Sequence, residues 1–151
     1  MNHPAIGDRR FRAFSAGSHP KGAIDPLALG ILQQHQIPTD GLRSKSWDEF
    51  AGPDAPQLHF VFTVCDQAAA EQCPIWPGQP MTAHWGVPDP AAVTASNEAR
   101  QRAFRRAALV LKRRIELFAS LPLASLARLA LQERLDEIGH VQPPMSDPPP
   151  G

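Results

Sequence analysis

The chain has 151 residues, enough for one domain with a core of useful size. Fifteen basic and fifteen acidic residues cancel with histidine neutral, so no global field draws it to nucleic acid or an anionic membrane, although zero net charge still allows a local anion site. No apolar run reaches the length of a membrane span and the N-terminal MNHPAIGDRRFR has no apolar h-region, so the expected location is cytoplasmic, without membrane or nucleic-acid partners.

In chain order, Phe11–Ala16 alternates apolar and polar over part of its length and is closed by Gly17, which predicts a short strand. Asp25-Pro26 predicts a helix start, with aspartate as N-cap and proline in the first turn. Leu27, Ile31 and Leu32 form its apolar face, and the helix should end near His35, before Ile37-Pro38. Ser46-Trp47-Asp48-Glu49 has the spacing of a capping box and should open a short helix. Leu58–Val64 is almost wholly apolar, β-branched or aromatic, the pattern of a strand covered on both faces in a parallel sheet. A second strand is expected at Met81–Trp85, before the turn Gly86-Val87-Pro88-Asp89-Pro90. From Ser96 to Ala119 a long amphipathic helix should bury Phe104, Ala108, Leu111, Ile115 and Phe118, with its arginines forming a solvated face. Pro122 follows near a break, and Leu126, Leu129, Leu135 and Ile138 should lie on a last helix. Five of the 17 prolines fall in the closing PPMSDPPPG, so residues 140–151 read as a disordered tail. Strands alternating with helices argue α/β with parallel pairing.

Three residues stand out chemically. Cys65 ends the apolar strand, where open α/β sheets place their ligands. Cys73 follows eight positions later, after the small residues Ala68–Ala70, a spacing that lets two sulfurs meet or stay apart as a reversible redox pair requires. The same spacing also fits two small buried hydrophobes, and two cysteines are too few for a disulfide framework. No close histidine completes a four-ligand zinc set, and no cofactor is expected. Asp89 precedes a proline, which restricts it to extended backbone and could hold its carboxyl over a cleft as a general acid. An ordinary surface turn has the same composition. His84 could orient a carboxylate or serve structurally.

Taken together, several of these segments resemble one family. Ser15-Ala16-Gly17-Ser18, Pro26-Leu27-Ala28 and Gly41-Leu42-Arg43-Ser44-Lys45-Ser46-Trp47-Asp48-Glu49-Phe50 are similar to the early half of bacterial arsenate reductases of the low-molecular-weight protein tyrosine phosphatase-like family. Phe62-Thr63-Val64-Cys65-Asp66, Cys73-Pro74 and His84-Trp85-Gly86-Val87-Pro88-Asp89-Pro90 are similar to the later half. The resemblance implies an α/β three-layer sandwich with a small parallel sheet. It also implies a nucleophilic cysteine in a Cys-x5-Arg loop, whose backbone N–H groups and arginine cradle an arsenate or phosphate oxyanion. Asp89 matches the acid that protonates the departing oxygen, and Cys65 and Cys73 match the redox pair. A thioredoxin- or glutaredoxin-type reductant is the implied partner.

The departure from the family is as informative. Cys65 is followed six residues on by Glu71 and Cys73 by Gln79, so the sequence contains no Cys-x5-Arg. On the resemblance, the first strand, its loop and most of the first helix would precede Met1, and Asn2-His3-Pro4-Ala5 would end that helix. The expectation is therefore an N-terminally incomplete domain over 1–139 with its first, central strand missing. Burying a large apolar side chain is worth roughly 1.5–3 kcal/mol, so losing several would rival a whole domain's stability of about 5–15 kcal/mol. Such a chain should be inactive alone and unstable, oligomeric through its strand edges, or receptive to a strand from elsewhere. A phosphatase-like enzyme and a non-catalytic interaction module are the alternative readings.

Overall fold

The computed structural model describes residues 10–65 and 76–143. Three helices, two strands and two short 3-10 segments make up its regular structure among those residues. Helix α1 spans Pro26–Gln34, and Asp25 caps it as the sequence predicts, its Oδ1 accepting from Leu27 N–H at 2.9 Å. A 3-10 turn covers Trp47–Phe50, with Ser46 Oγ accepting from Asp48 N–H. The expected capping box is only half made. Glu49 does not reach back to the cap, because its carboxylate takes a two-pronged bond from Arg43 instead.

Strands β1 (Phe60–Thr63) and β2 (Met81–His84) pair in parallel, Phe60 beside Met81 and Thr63 beside His84. The backbone pairing runs past the strands: Trp85 N–H donates to Thr63 O at 2.7 Å and Val87 N–H to Val64 O at 2.8 Å. Phe60, Phe62, Met81 and Ala83 share one face of this sheet, as residues two apart must. That face carries the core, in which Met81, Ala83, Trp85, Phe118, Leu131, Leu135 and Ile138 form one buried cluster. Phe62 stacks on Trp85 with centroids 3.9 Å apart, and Phe118 meets Phe60, Phe62 and Phe11. On the opposite face Thr82 and His84 are exposed and Thr63 Oγ1 bonds His84 Nδ1 across the strands, while β1, expected to be covered on both faces, is only half-buried along its length and Val64 beyond it is exposed.

The long helix, α2, spans Asn97–Ala119, with Ser96 Oγ capping Ala99 N–H. The last helix, α3, spans Arg128–Ile138. Both cover the core face of the sheet, and Arg100 of α2 ties α1 down through a 3.1 Å ion pair with Asp25. The outer edge of β2 is protected: Gln132 of α3 donates to Thr82 O, and Trp85 Nε1 donates to Leu135 O. Such cover removes an edge that could pair with another chain.

Three expectations need correction. Phe11–Ala16 forms no strand; Gly17 makes an isolated bridge to Ser46, while Phe11 packs on Phe118. A segment without a neighbouring ladder has nothing to define it as a strand. On α2, Ile115 is exposed and Arg114 buried, which rotates the buried stripe toward Phe104, Val110, Arg114 and Phe118. The last helix starts at Arg128, so Leu126 precedes it; within α3, Leu129 is 75% exposed and Leu131 lies inside, because Leu131, Leu135 and Ile138 share the face that meets β2. Beyond α3, Val141 N–H bonds Ile138 O, Gln142 accepts from Arg106, and Pro143 is buried. The remainder of the proline-rich segment lies outside the described residues.

Candidate functional site

Parallel pairing brings the carboxyl ends of β1 and β2 to the same edge of the sheet, and two of the three residues singled out lie there. Cys65 is half-buried, two residues beyond β1. Asp89 lies five residues beyond β2, and the Val87-to-Val64 hydrogen bond holds the two chains together just before both. Cys73, together with Asp66, Ala68–Ala70 and Pro74, lies outside the described residues, as does Asn2–Ala5. Trp76, the first described residue after that stretch, meets Trp47 edge-on at 6.2 Å.

Asp89 is exposed and extended, with φ −69° and ψ 111°. Proline at the next position disfavours the helical region for it, as the sequence predicts. Its Oδ1 accepts from Ala91 N–H at 2.9 Å, capping the 3-10 segment Pro90–Ala92 that packs on α2. The carboxyl is therefore oriented by one oxygen at the rim of the sheet edge. One side chain thus serves as a turn cap and stands where a proton donor could work.

His84 joins Thr63 on the exposed sheet face, five residues before Asp89. Among the described residues no group of three or more histidine, cysteine, aspartate or glutamate side chains is placed to hold a metal.

One residue of the site escaped the sequence pattern. Arg114 is 2% exposed, although it sits in a run of arginines expected to face solvent. Its Nη1 donates to Trp85 O at 2.7 Å and to Gly86 O at 3.2 Å, and its Nε donates to Val141 O at 3.1 Å. Burial lowers its pKa from the ordinary arginine value, yet a guanidinium keeps its charge in proteins. The one available signal was positional: Arg114 is four residues before Phe118, on the same helix face.

Comparison with known proteins fits this geometry. Residues 2–130 match the family described as Low molecular weight phosphotyrosine protein phosphatase. An arsenate reductase of Halalkalibacterium halodurans is 30% identical over 114 residues, covering 76% of this chain and 78% of that protein. An arsenate reductase of Bacillus licheniformis is 30% identical over 117 residues, with the same two coverages. A third, of Oceanobacillus iheyensis, is 26% identical over 106 residues, covering 70% of this chain and 73% of its own. The α/β architecture, the parallel strands and the profile match over most of the chain together place this protein in the low molecular weight phosphotyrosine protein phosphatase family.

Proposed function

We propose that this chain takes part in thiol-based arsenate reduction, with Asp89 as the acid and Cys65 and Cys73 as the redox pair. The observation supporting this most directly is the shared carboxyl edge, where Cys65 and the Asp89 turn are joined by the Val87–Val64 bond. The similar proteins named above are arsenate reductases, which agrees with it.

In the proposed sequence, a cysteine thiolate held in a Cys-x5-Arg loop attacks arsenate and Asp89 protonates the oxygen that leaves. One of Cys65 and Cys73 then attacks that sulfur as a thiolate. The sulfur–arsenic bond breaks, its electron pair goes to arsenic, and arsenite departs. The other thiol of the pair attacks the resulting disulfide, which leaves a Cys65–Cys73 bond. Two electrons from a thioredoxin- or glutaredoxin-type protein in the same compartment, which we take to be the cytoplasm, restore both thiols.

The first step needs a loop that residues 1–151 do not contain, because the sequence has no Cys-x5-Arg. On this reading the loop supplies both the nucleophile and the anion cradle, so we propose that these residues alone do not turn over arsenate. Among the described residues β1 pairs with β2 only. Its other edge is the natural seat for the strand that carries the loop, or for a second copy of this chain.

Phosphoester hydrolysis is the second reading, favoured by the family description itself. It requires no pair of relay thiols. The test compares these 151 residues with a protein in which a strand–Cys-x5-Arg–helix segment precedes them, assaying arsenate reduction and aryl phosphate hydrolysis in parallel. Arsenate reduction by the extended protein alone, lost in Cys65→Ser and Cys73→Ser, is the expected result. Aryl phosphate turnover indifferent to both cysteines would favour the phosphatase. Enzyme-like arsenate turnover by the 151 residues themselves would overturn the assignment of the nucleophile to a Cys-x5-Arg loop.

A further inference from the structure

A buried arginine without a carboxylate partner calls for a specific explanation, because removing a guanidinium from water is costly unless its donors are satisfied. Among the described residues Arg114 is the buried charged side chain, and its hydrogen-bond acceptors are backbone carbonyls. Two of these, on Trp85 and Gly86, are consecutive and lie immediately after β2. From the other side, the same short stretch is held by Trp85 N–H on Thr63 O and Val87 N–H on Val64 O. Residues 85–87 are therefore gripped on two sides, by β1 through their N–H groups and by α2 through their carbonyls.

The next residues are Pro88 and Asp89. Pro88 has no N–H to donate, so the direction in which Asp89 leaves the sheet is set by the last gripped residues before it. Beyond Asp89, the Pro90–Ala92 turn packs again on α2. The third acceptor, Val141 O, lies beyond α3, so the same guanidinium joins that segment to the base of the turn. An arginine suits this place because its planar fork presents several donors at fixed angles, whereas a lysine offers one compact charge.

We propose that Arg114 is a positioning residue for Asp89: it sets how the Gly86–Asp89 turn leaves β2 and couples that turn to the segment after α3. The proposal rests on the reading of Asp89 as the acid, but its test does not depend on activity.

Amide hydrogen exchange in the full chain compares Val87, which follows the clamp, with Met81, whose N–H bonds His59 O at the far end of the same strand. In Arg114→Gln, exchange at Val87 should quicken about tenfold relative to Met81, as expected for the loss of a charge-assisted hydrogen bond. The Ala91 amide signal, which reports the Asp89 cap, should shift in the same variant. Arg114→Lys should fall between it and the parent, and it makes the same comparison should the glutamine variant fail to fold. Equal acceleration at Val87 and Met81 would show Arg114 to be general ballast and overturn the proposal. So would unchanged exchange at both.

Asp89→Asn separates this proposal from the acid reading. If arsenate reduction by the loop-completed protein survives Asp89→Asn, the acid reading falls while the exchange result still decides the clamp. If Val87 stays protected in the Arg114 variants, the clamp falls and the acid reading is untouched.

Discussion

Asp89 combines two roles that substitution can separate. Asparagine retains an oxygen able to accept from Ala91 N–H but has no proton of suitable acidity, whereas alanine removes both functions. Asp89→Asn is expected to leave the urea midpoint unchanged, while Asp89→Ala costs about 0.5 kcal/mol, the low end for a cap because the turn is only three residues long. Both should lower arsenate reduction by the loop-completed protein by roughly 10²–10⁴-fold, the usual worth of a positioned acid. At Glu49, another exposed carboxylate, the hydrogen bond from Arg43 lowers the pKa. Its stabilising contribution is therefore complete above the ordinary glutamate value of about 4.3 and is lost as pH falls through the lower folded-state value. Glu49→Gln should flatten that acid limb in thermal melts across pH, and added salt should flatten it in the parent, since the pair is exposed.

At the scale of elements, the contact between α3 and the end of β2 is the tightest test of packing. Gly139 caps α3 with φ −60°, a conformation open to any residue, so backbone freedom does not explain the glycine. Space does: a Cβ there would lie 2.7 Å from His84 O and 3.0 Å from Trp85 Cδ1. Trp85 cannot retreat without losing its hydrogen bond to Leu135 O and its stacking on Phe62. Gly139→Ala should therefore destabilise the chain by about 1–3 kcal/mol, the range for overpacking, read as a lower urea midpoint. Two starts were legible from local chemistry alone, with Asp25-Pro26 opening α1 and Ser46 offering a hydroxyl to the 3-10 turn. The faces of α2 and α3 were less legible. A helical period allows neighbouring faces nearly equal apolar content, so the choice of Leu131 over Leu129, or Arg114 over Ile115, lies with the partner element.

For the whole molecule, the sheet has one guarded side and one that is not guarded among the described residues. Gln132, Arg114 and α3 occupy the outer edge of β2, while β1 has no second partner strand. If that edge seats a strand, sedimentation of the 151 residues should show concentration-dependent association, and the loop-completed protein should run as a smaller, uniform species. The reverse order would argue against β1 as the docking edge.

Local rules in the sequence determined the positions of both strands, the caps of α1 and of the Trp47–Phe50 turn, the extended backbone at Asp89 and the placement of Cys65 at a strand end. Each depends on near neighbours in the chain and needs no knowledge of what lies opposite. Tertiary structure alone decided that Arg114 goes inside, that Val141 and Gln142 are tied to α2, and that Cys65 and the Asp89 turn share one edge. Those outcomes depend on which carbonyls and side chains meet across distances of tens of residues, and no periodicity within a single segment encodes that meeting.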